Sequence, residues 1–487
     1  MSPPGDPILD EAATALAARV RRREISPLEL CDAHIARIEA VNPALNALAA
    51  ERFDLARREA RQADERLAHT RDTDELPPFF GVPCTMKEFL SVAGMPLTAG
   101  IWSRRHVVAQ SDATVVRRMR AAGAIILGVT NVPEGGMWME TDNQVYGRTR
   151  NPWNLGRTAG GSSGGEAALI AAGASPLGIG SDIGGSIRIP SAFCGVVGHK
   201  PTGRMVPNTG YWPPLHGEIS AFLCSGPMAR RVADLWPVMK VIAGPDGESG
   251  DTRPFPLGDP AAVSLRDVTV YPVEWNGRVR VRADVRETVR RAAAAMESRG
   301  ARVATLRTRG FERAFEIWSA MLAGAPGKSY SEVLGDGTPI NPWRELLKAP
   351  FGMSRFTGPA LIIAAAEILM RKLPSQMGRF IEAGHRLQEE LEAELGPNGV
   401  LLHPPYSRTA PRHYGPMLTP FDFVYTAIFN VLEFPVTVLP TGFDDGGLPL
   451  GVQIAARRGN DHLTVATAAA LEEEFGGWVR ATPAKIR

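Results

Sequence analysis

Between Ile8 and Leu67 the apolar positions Leu16, Val20, Leu28, Leu30, Ile35 and Ile38 recur near helical spacing, which predicts amphipathic helices. Ser26-Pro27 supplies an N-cap followed by a proline at the first helical position, where a missing N–H costs nothing. Arg52 to Leu67 is charged on most faces and reads as a surface helix. From Phe79 to Val129 the pattern changes, and short apolar runs alternate with helical stretches. Ala124-Ile-Ile-Leu-Gly-Val129 has the length and residue types of a buried strand, preceded by a helix from Asp112 to Ala122 with Ser111 or Asp112 as its cap. Glu166-Ala-Ala-Leu-Ile-Ala-Ala172 is an apolar helix-forming run stopped by Gly173. Val268-Thr-Val-Tyr271 and Val285–Gly300 repeat the strand-then-helix order. This alternation predicts an α/β protein, a central mixed or mostly parallel sheet surrounded by α-helices.

Length leaves the domain count open, since 487 residues make two or three average domains or one large α/β unit. Charge narrows the partners: 54 basic against 52 acidic residues give a net +2, so no overall field favours nucleic acid. The cysteines Cys31, Cys84, Cys194 and Cys224 follow neither metal nor disulfide spacing and read as small buried hydrophobes in a reducing, cytoplasmic setting. Met-Ser-Pro-Pro-Gly-Asp lacks the basic and apolar regions of a signal peptide. The nearest candidate for a membrane span, Gly358 to Met370, is too short to cross a bilayer and contains Glu367, so no transmembrane anchor is expected.

The stretch from Gly178 to Gly198 carries the first sign of chemistry. Ser186 follows two glycines, and Ser186-Ile-Arg-Ile-Pro190 reads as the entry to a short helix. A serine hydroxyl needs a base and donors for the developing oxyanion. Gly184 and Gly185 open backbone angles closed to other residues, so the amides of Ile183, Gly184, Gly185 and Ser186 could converge on one point; a plain Gly-Gly turn fits the same residues. Gly160-Gly-Ser-Ser-Gly-Gly165 is not a phosphate loop, because Glu166 stands where the lysine belongs. A histidine base from His199, His216 or His403 remains open, although the G-x-S-x-G elbow is absent. No HExxH or comparable metal cluster is seen, and no metal or organic cofactor is expected.

Three separated blocks, Gly81-Val-Pro-Cys-Thr-Met-Lys87-Glu88, the Ser162/Ser163 loop and Gly180-Ser-Asp-Ile-Gly-Gly-Ser-Ile-Arg188, together resemble the amidase signature family. The last is locally most similar to the fatty acid amide hydrolase branch. The resemblance implies one amidase domain over residues 1–487, with an N-terminal helical region (1–70) serving packing or a homodimer contact. It further implies catalytic core motifs (75–230), a variable substrate-pocket cover (311–417) and closing strands with a helix (421–475) that begin in the run Phe429–Gly442. It makes Ser186 the nucleophile, Ser162 (on a cis peptide) the relay and Lys87 the base. Ser163, Asp182 and Arg188 take supporting roles, and Met137, Trp138 and Met139 line the acyl pocket. In the cover, Trp318, Met321, Trp343, Phe351, Met353 and Phe356 form an apolar stripe that reads as core or as substrate-selecting surface. The implied substrate is a small-molecule amide, carbamate or ester. A glutamine-hydrolysing subunit of a tRNA-dependent amidotransferase and a non-catalytic binding protein on the same fold are the alternatives.

For Lys87 to act as a base it must be neutral near pH 7, a displacement of roughly three pKa units or on the order of 4 kcal/mol. Burial supplies this by penalising the charged form, and Val82, Met86 and Phe89 provide apolar neighbours. Glu88 is adjacent, but on an extended segment its side chain points to the other face.

Overall fold

A computed structural model of the chain describes residues 7–325, 327–370 and 374–482. The strands in chain order are β1 (Leu48–Glu51), β2 (Pro83–Lys87), β3 (Ile125–Thr130), β4 (Arg150–Asn151), β5 (Asn154–Thr158), β6 (Leu177–Asp182) and β7 (Val197–Lys200). They continue with β8 (Cys224–Ala229), β9 (Thr269–Pro272), β10 (Arg302–Val303), β11 (Gly399–His403), β12 (Val436–Phe443) and β13 (Pro449–Ala456). Eleven of them make one sheet in the order β1-β3-β2-β6-β8-β7-β12-β13-β11-β9-β10, and β4 with β5 form a separate hairpin. The sheet is mixed: β3, β2 and β6 run parallel, whereas β8, β7, β12 and β13 each pair antiparallel with their neighbours. β2, β3, β6 and β8 are buried at every position, because helices cover both faces. The sheet and its flanking helices form a single α/β domain.

Among the helices that frame the site are α1 (Ala13–Arg21), α2 (Pro27–Leu45), α3 (Phe53–His69), α4 (Thr114–Ala121), α5 (Gly164–Ala171) and α6 (Arg188–Cys194). Ser26 and Glu29 close a reciprocal capping box at the start of α2, with Pro27 following the cap. α3 is surface-facing but buries Ala56, Ala60 and Leu67 along one stripe. α4 begins later than the sequence suggests. Its cap is Ala113, and the Asp112 carboxylate instead accepts from the Ala93 amide at 2.7 Å and pairs with Arg120 at 2.9 Å. Phe429 to Val431 end a helix, Val424–Val431, and the closing strand starts only at Val436.

Residues 314–370 form the helices Ala314–Gly324, Tyr330–Leu334, Pro342–Lys348 and Gly358–Met370. The apolar stripe expected there divides. Met321 packs inside, whereas Trp343, Phe351 and Met353 are 51%, 76% and 66% exposed and so belong to no core. The four cysteines are buried and free. No helix among the described residues is long and apolar enough to cross a membrane.

Candidate active site

Parallel pairing of β2 with β6 brings Lys87, the last residue of β2, beside the loop that leaves the carboxyl end of β6 and carries Ser186. Ligand sites of α/β sheets gather at such strand ends. Two glycines of β6 make close packing possible. A Cβ on Gly180 would lie 2.8 Å from Met228 Sδ and 3.0 Å from Ser163 Oγ. Ser162 enters from above, in the turn before α5, and its peptide bond to Gly161 is cis. The backbone of the two serine loops is tied directly, since the Ser163 amide donates to the Ser186 carbonyl at 3.1 Å.

Lys87 is fully buried. Its Nζ lies 2.6 Å from Ser162 Oγ, 2.8 Å from Ser181 Oγ and 3.2 Å from the Ser181 carbonyl oxygen. Ser181 Oγ in turn meets the Tyr211 hydroxyl at 3.0 Å. Burial pulls the Lys87 ammonium down to about 7, against the opposing charges of Asp182 and Glu166. Glu166 lies beneath the strand ends, where Thr85 donates to it at 2.6 Å and Thr130 at 3.1 Å; burial pushes its carboxyl upward, towards the neutral form. Glu88 does face away from Lys87. It accepts from the amides of Thr98 and Ala99 at 2.6 and 2.7 Å and from the Tyr146 hydroxyl at 2.8 Å.

The Ser186 loop is braced by an ion pair from which water is excluded. Arg188 Nη2 and Nε each reach Asp182 at 2.9 Å, and both side chains are fully buried. Arg188 also donates to Asn430 Oδ1 at 2.6 Å and to the Thr426 carbonyl at 2.8 Å. Burial alone would raise the Asp182 carboxyl, but Arg188, Asn430 and Lys200 hold it below the usual carboxylate range. Asp182 Oδ1 additionally accepts from the Gly185 amide at 2.7 Å and Oδ2 from the Ile187 amide at 3.1 Å. The Gly185 N–H is therefore spent on Asp182 and does not point at a reacting atom. Among the described residues, the amides of Ile183, Gly184 and Ser186 carry no hydrogen bond.

Ser163 supports this arrangement as the sequence suggests, with its hydroxyl 3.3 Å from both the amide and the carbonyl of Ser181. Of the three pocket candidates, Met139 is enclosed with Ile189, Phe193, Tyr406 and Ala410, and Trp138 packs on the rim of that cluster beside Phe423. Met137 packs partly exposed against the main core. Two of the three candidate histidines are held by other groups. His199 sits between Thr437 at 2.9 Å and Asp461 at 3.2 Å, His403 is buried against Val273, and His216 is exposed.

Sequence reading missed Ser181, Tyr211, Asn430 and Thr426. Ser181 sits one residue before Asp182 and alternation along β6 could have flagged it; the other three come from distant segments and leave no local signal.

The family model described as Amidase matches residues 29–465, and the chain belongs to the amidase signature family. It is 40% identical over 492 residues to human fatty-acid amide hydrolase 2, covering 98% of this chain and 91% of that protein. It is 34% identical over 469 residues to an acylamidase of Rhodococcus erythropolis, covering 95% and 94%. A solved fatty acid amide hydrolase superposes with a TM-score of 0.81 at 22% identity over 99% of this chain and 87% of that one, a likeness of fold. The chain is an amide-hydrolysing enzyme.

Proposed function

We propose that this enzyme hydrolyses the C–N bond of largely apolar amides, and related carbamates and esters, through an acyl-enzyme on Ser186. The 2.6 Å approach of a buried Lys87 to Ser162 carries the reading. A neutral amine has two N–H groups and one lone pair. Ser181 offers its carbonyl and hydroxyl oxygens to the two N–H groups, which leaves the lone pair for the Ser162 proton. Ser162 then takes the proton of Ser186 as its oxygen attacks the carbonyl carbon. The oxyanion meets the amides of Ile183, Gly184 and Ser186. Collapse expels the nitrogen, which takes the proton back through Ser162, and water releases the acyl group by the same path. The rings of Trp318, at the loop, and Phe423, packed against it, favour an apolar acyl group, to which Met137, Trp138 and Met139 are assigned as further lining.

Free glutamine, the substrate of the amidotransferase alternative, needs a fixed cation for its carboxylate. Arg188, the buried cation beside the loop, is already saturated by Asp182, Asn430 and Thr426. A non-catalytic role leaves the cost of a buried lysine without a return.

The test compares a matched amide and nitrophenyl ester across pH 5–10 (roughly the span in which a displaced lysine titrates). Wild-type kcat/KM is expected to rise with pH through about 7, as the base loses its proton. Lys87→Ala should cut amide hydrolysis far more than ester hydrolysis, because a nitrophenolate leaves without a proton. Ser186→Ala should abolish both and all labelling by a fluorophosphonate. Equal, small losses on both substrates would defeat the Lys87 assignment.

A further inference from the structure

The loop from Asp182 to Ser186 is a run of trans peptide planes, and a trans peptide points its carbonyl and its N–H in opposite directions. Fixing each carbonyl therefore aims the following amide. The Asp182 carbonyl accepts from Asn430 Nδ2 at 3.0 Å, which aims the Ile183 amide. The Ile183 carbonyl accepts from Trp318 Nε1 at 3.0 Å, which aims the Gly184 amide. The Gly184 carbonyl lies 2.8 Å from Thr426 Oγ1, a hydroxyl shared with the Phe423 carbonyl, and the amide of that plane goes to Asp182. The Gly185 carbonyl accepts from the Ile189 amide at 2.7 Å, which aims Ser186. Gly185 needs its glycine for this course: its φ is +124°, and a Cβ there would lie 2.1 Å from Thr426 Oγ1.

Three of these holds come from the nucleophile loop's own helix or from the helix Val424–Val431 below it. The fourth does not. Trp318 belongs to the helix Ala314–Gly324, in the cover, and its ring stands edge-on to Phe423 at 5.0 Å between centroids. It reaches across 135 residues of sequence to one carbonyl of the catalytic loop. We propose that Trp318 is a positioning residue for the oxyanion site: its indole N–H locks the Ile183–Gly184 peptide so that the Gly184 amide faces the developing oxyanion. The inference rests on the acyl-enzyme reading above. It assigns the cover a part in transition-state stabilisation, beyond shaping the pocket. With the indole N–H gone, the Ile183 carbonyl loses its side-chain donor and the peptide leading into Gly184 can swing, which misaims a donor without removing it.

Trp318→Phe keeps an aromatic ring against Phe423 and deletes the N–H, whereas Trp318→Ala deletes both. For Trp318→Phe we expect amide kcat to fall about 10-fold, less than the roughly 100-fold or more that follows loss of an oxyanion donor itself. KM should stay within about two-fold, as for an interaction made only in the transition state. Inhibition by an apolar trifluoromethyl ketone, whose carbonyl takes up the serine oxygen and becomes an oxyanion, should weaken by the same factor as kcat/KM. The corresponding alcohol, which forms no adduct, should bind unchanged. Trp318→Ala should show the same kcat loss plus a raised KM. The proposal is overturned if Trp318→Phe behaves as wild type and only Trp318→Ala is impaired, or if ketone and alcohol weaken alike. Trp318→Leu, which also deletes the N–H but keeps an apolar side chain against Phe423, repeats the ketone measurement should Trp318→Phe fail to fold, and an undiminished ketone affinity there overturns it equally. Peptide mapping of the fluorophosphonate adduct separates the two levels: wild-type label found elsewhere than Ser186 removes the acyl-enzyme reading and this inference with it, whereas label at Ser186 in Trp318→Phe with full kcat removes this inference alone.

Discussion

The Asp182–Arg188 pair behind Ser186, the floor, and the helices between 314 and 370, termed the roof, are held in different ways. In the floor, Asp182 and Arg188 are fully buried and saturated with partners drawn from β6, α6, the helix Val424–Val431 and β13. The helices between 314 and 370 meet the rest of the chain through a buried apolar face and scattered polar ties, among them Arg104 to Asp336 at 2.7 Å and Arg278 to Glu316. Trp318 holds the Ile183 carbonyl, the Tyr330 hydroxyl donates to the Glu134 carbonyl at 2.8 Å, and the Thr357 amide donates to Glu134 Oε2 at 2.6 Å. Beyond those ties the roof's outer surface presents Leu347 and Phe351, each 76% exposed. A network that is complete has no tolerance for losing one member, whereas outward residues such as Leu347 and Phe351 can change freely.

That contrast is broken most severely at Arg188. Arg188→Met leaves Asp182 as a buried charge without its partner, so a loss of about 3–5 kcal/mol is expected in denaturant unfolding. An unfolding midpoint within error of wild type would show that the floor is not held by this pair.

A second substitution sharpens the contrast by showing that the floor carries a stability cost for function. Lys87 has its folded-state pKa lowered to about 7, so the folded protein binds fewer protons than the unfolded chain between that value and the ordinary lysine range. Stability therefore rises with pH over that window, and the penalty is fully present below about 7. Lys87→Met removes it. Three units of displacement bound the gain at roughly 4 kcal/mol, and the lost contacts with Ser162 and Ser181 reduce it to about 1–2 kcal/mol. The variant should melt higher than wild type at pH 6, with the difference shrinking towards pH 10. A difference that grows with pH would contradict the buried neutral lysine.

In the roof the effects are smaller. Tyr330→Phe deletes one hydrogen bond to a buried carbonyl, for an expected loss of about 1–2 kcal/mol. Amide hydrogen exchange should quicken in Tyr330–Leu334 and Gly358–Met370 while β6 stays protected; equal acceleration in both would make roof and floor one unit. Phe351→Ser, on the exposed face, should leave stability within about 0.5 kcal/mol and leave kcat/KM for a short acyl amide unchanged. A clear loss on the short substrate would tie that outer face to the chemistry.

How far the sequence revealed these regions follows the same division. Lys87 and the two serine loops stood out through their joint resemblance to a family rather than through local composition, since Lys87 taken alone reads as a solvated surface ammonium, whereas the structure buries it completely. The Ser26 cap was legible locally, because its capping box with Glu29 is complete within four residues. Asp112 misled because a cap residue and a tertiary acceptor have the same side chain, and the Ala93 amide and Arg120 outbid the helix end. Asn430, Thr426 and Tyr211 act across 30 to 248 residues of chain, where no spacing rule reaches. The exposed Phe351 and Met353 could not be told from core residues, since periodicity reports which residues share a face but not whether anything lies against it.

The four free cysteines have a practical meaning. Cys31, Cys84, Cys194 and Cys224 are all sealed from solvent, and burial raises each thiol, that of Cys31 to about 12. Only a thiolate reacts quickly with an alkylating reagent. The native enzyme should therefore be silent to iodoacetamide, and each alkylated cysteine marks a molecule that has opened where that cysteine lies. Cys84 on β2 and Cys194 on α6 would time the opening of the floor, and Cys31 on α2 that of the N-terminal helices. The chain carries its own clock for breathing motions, wound by burial and read by mass.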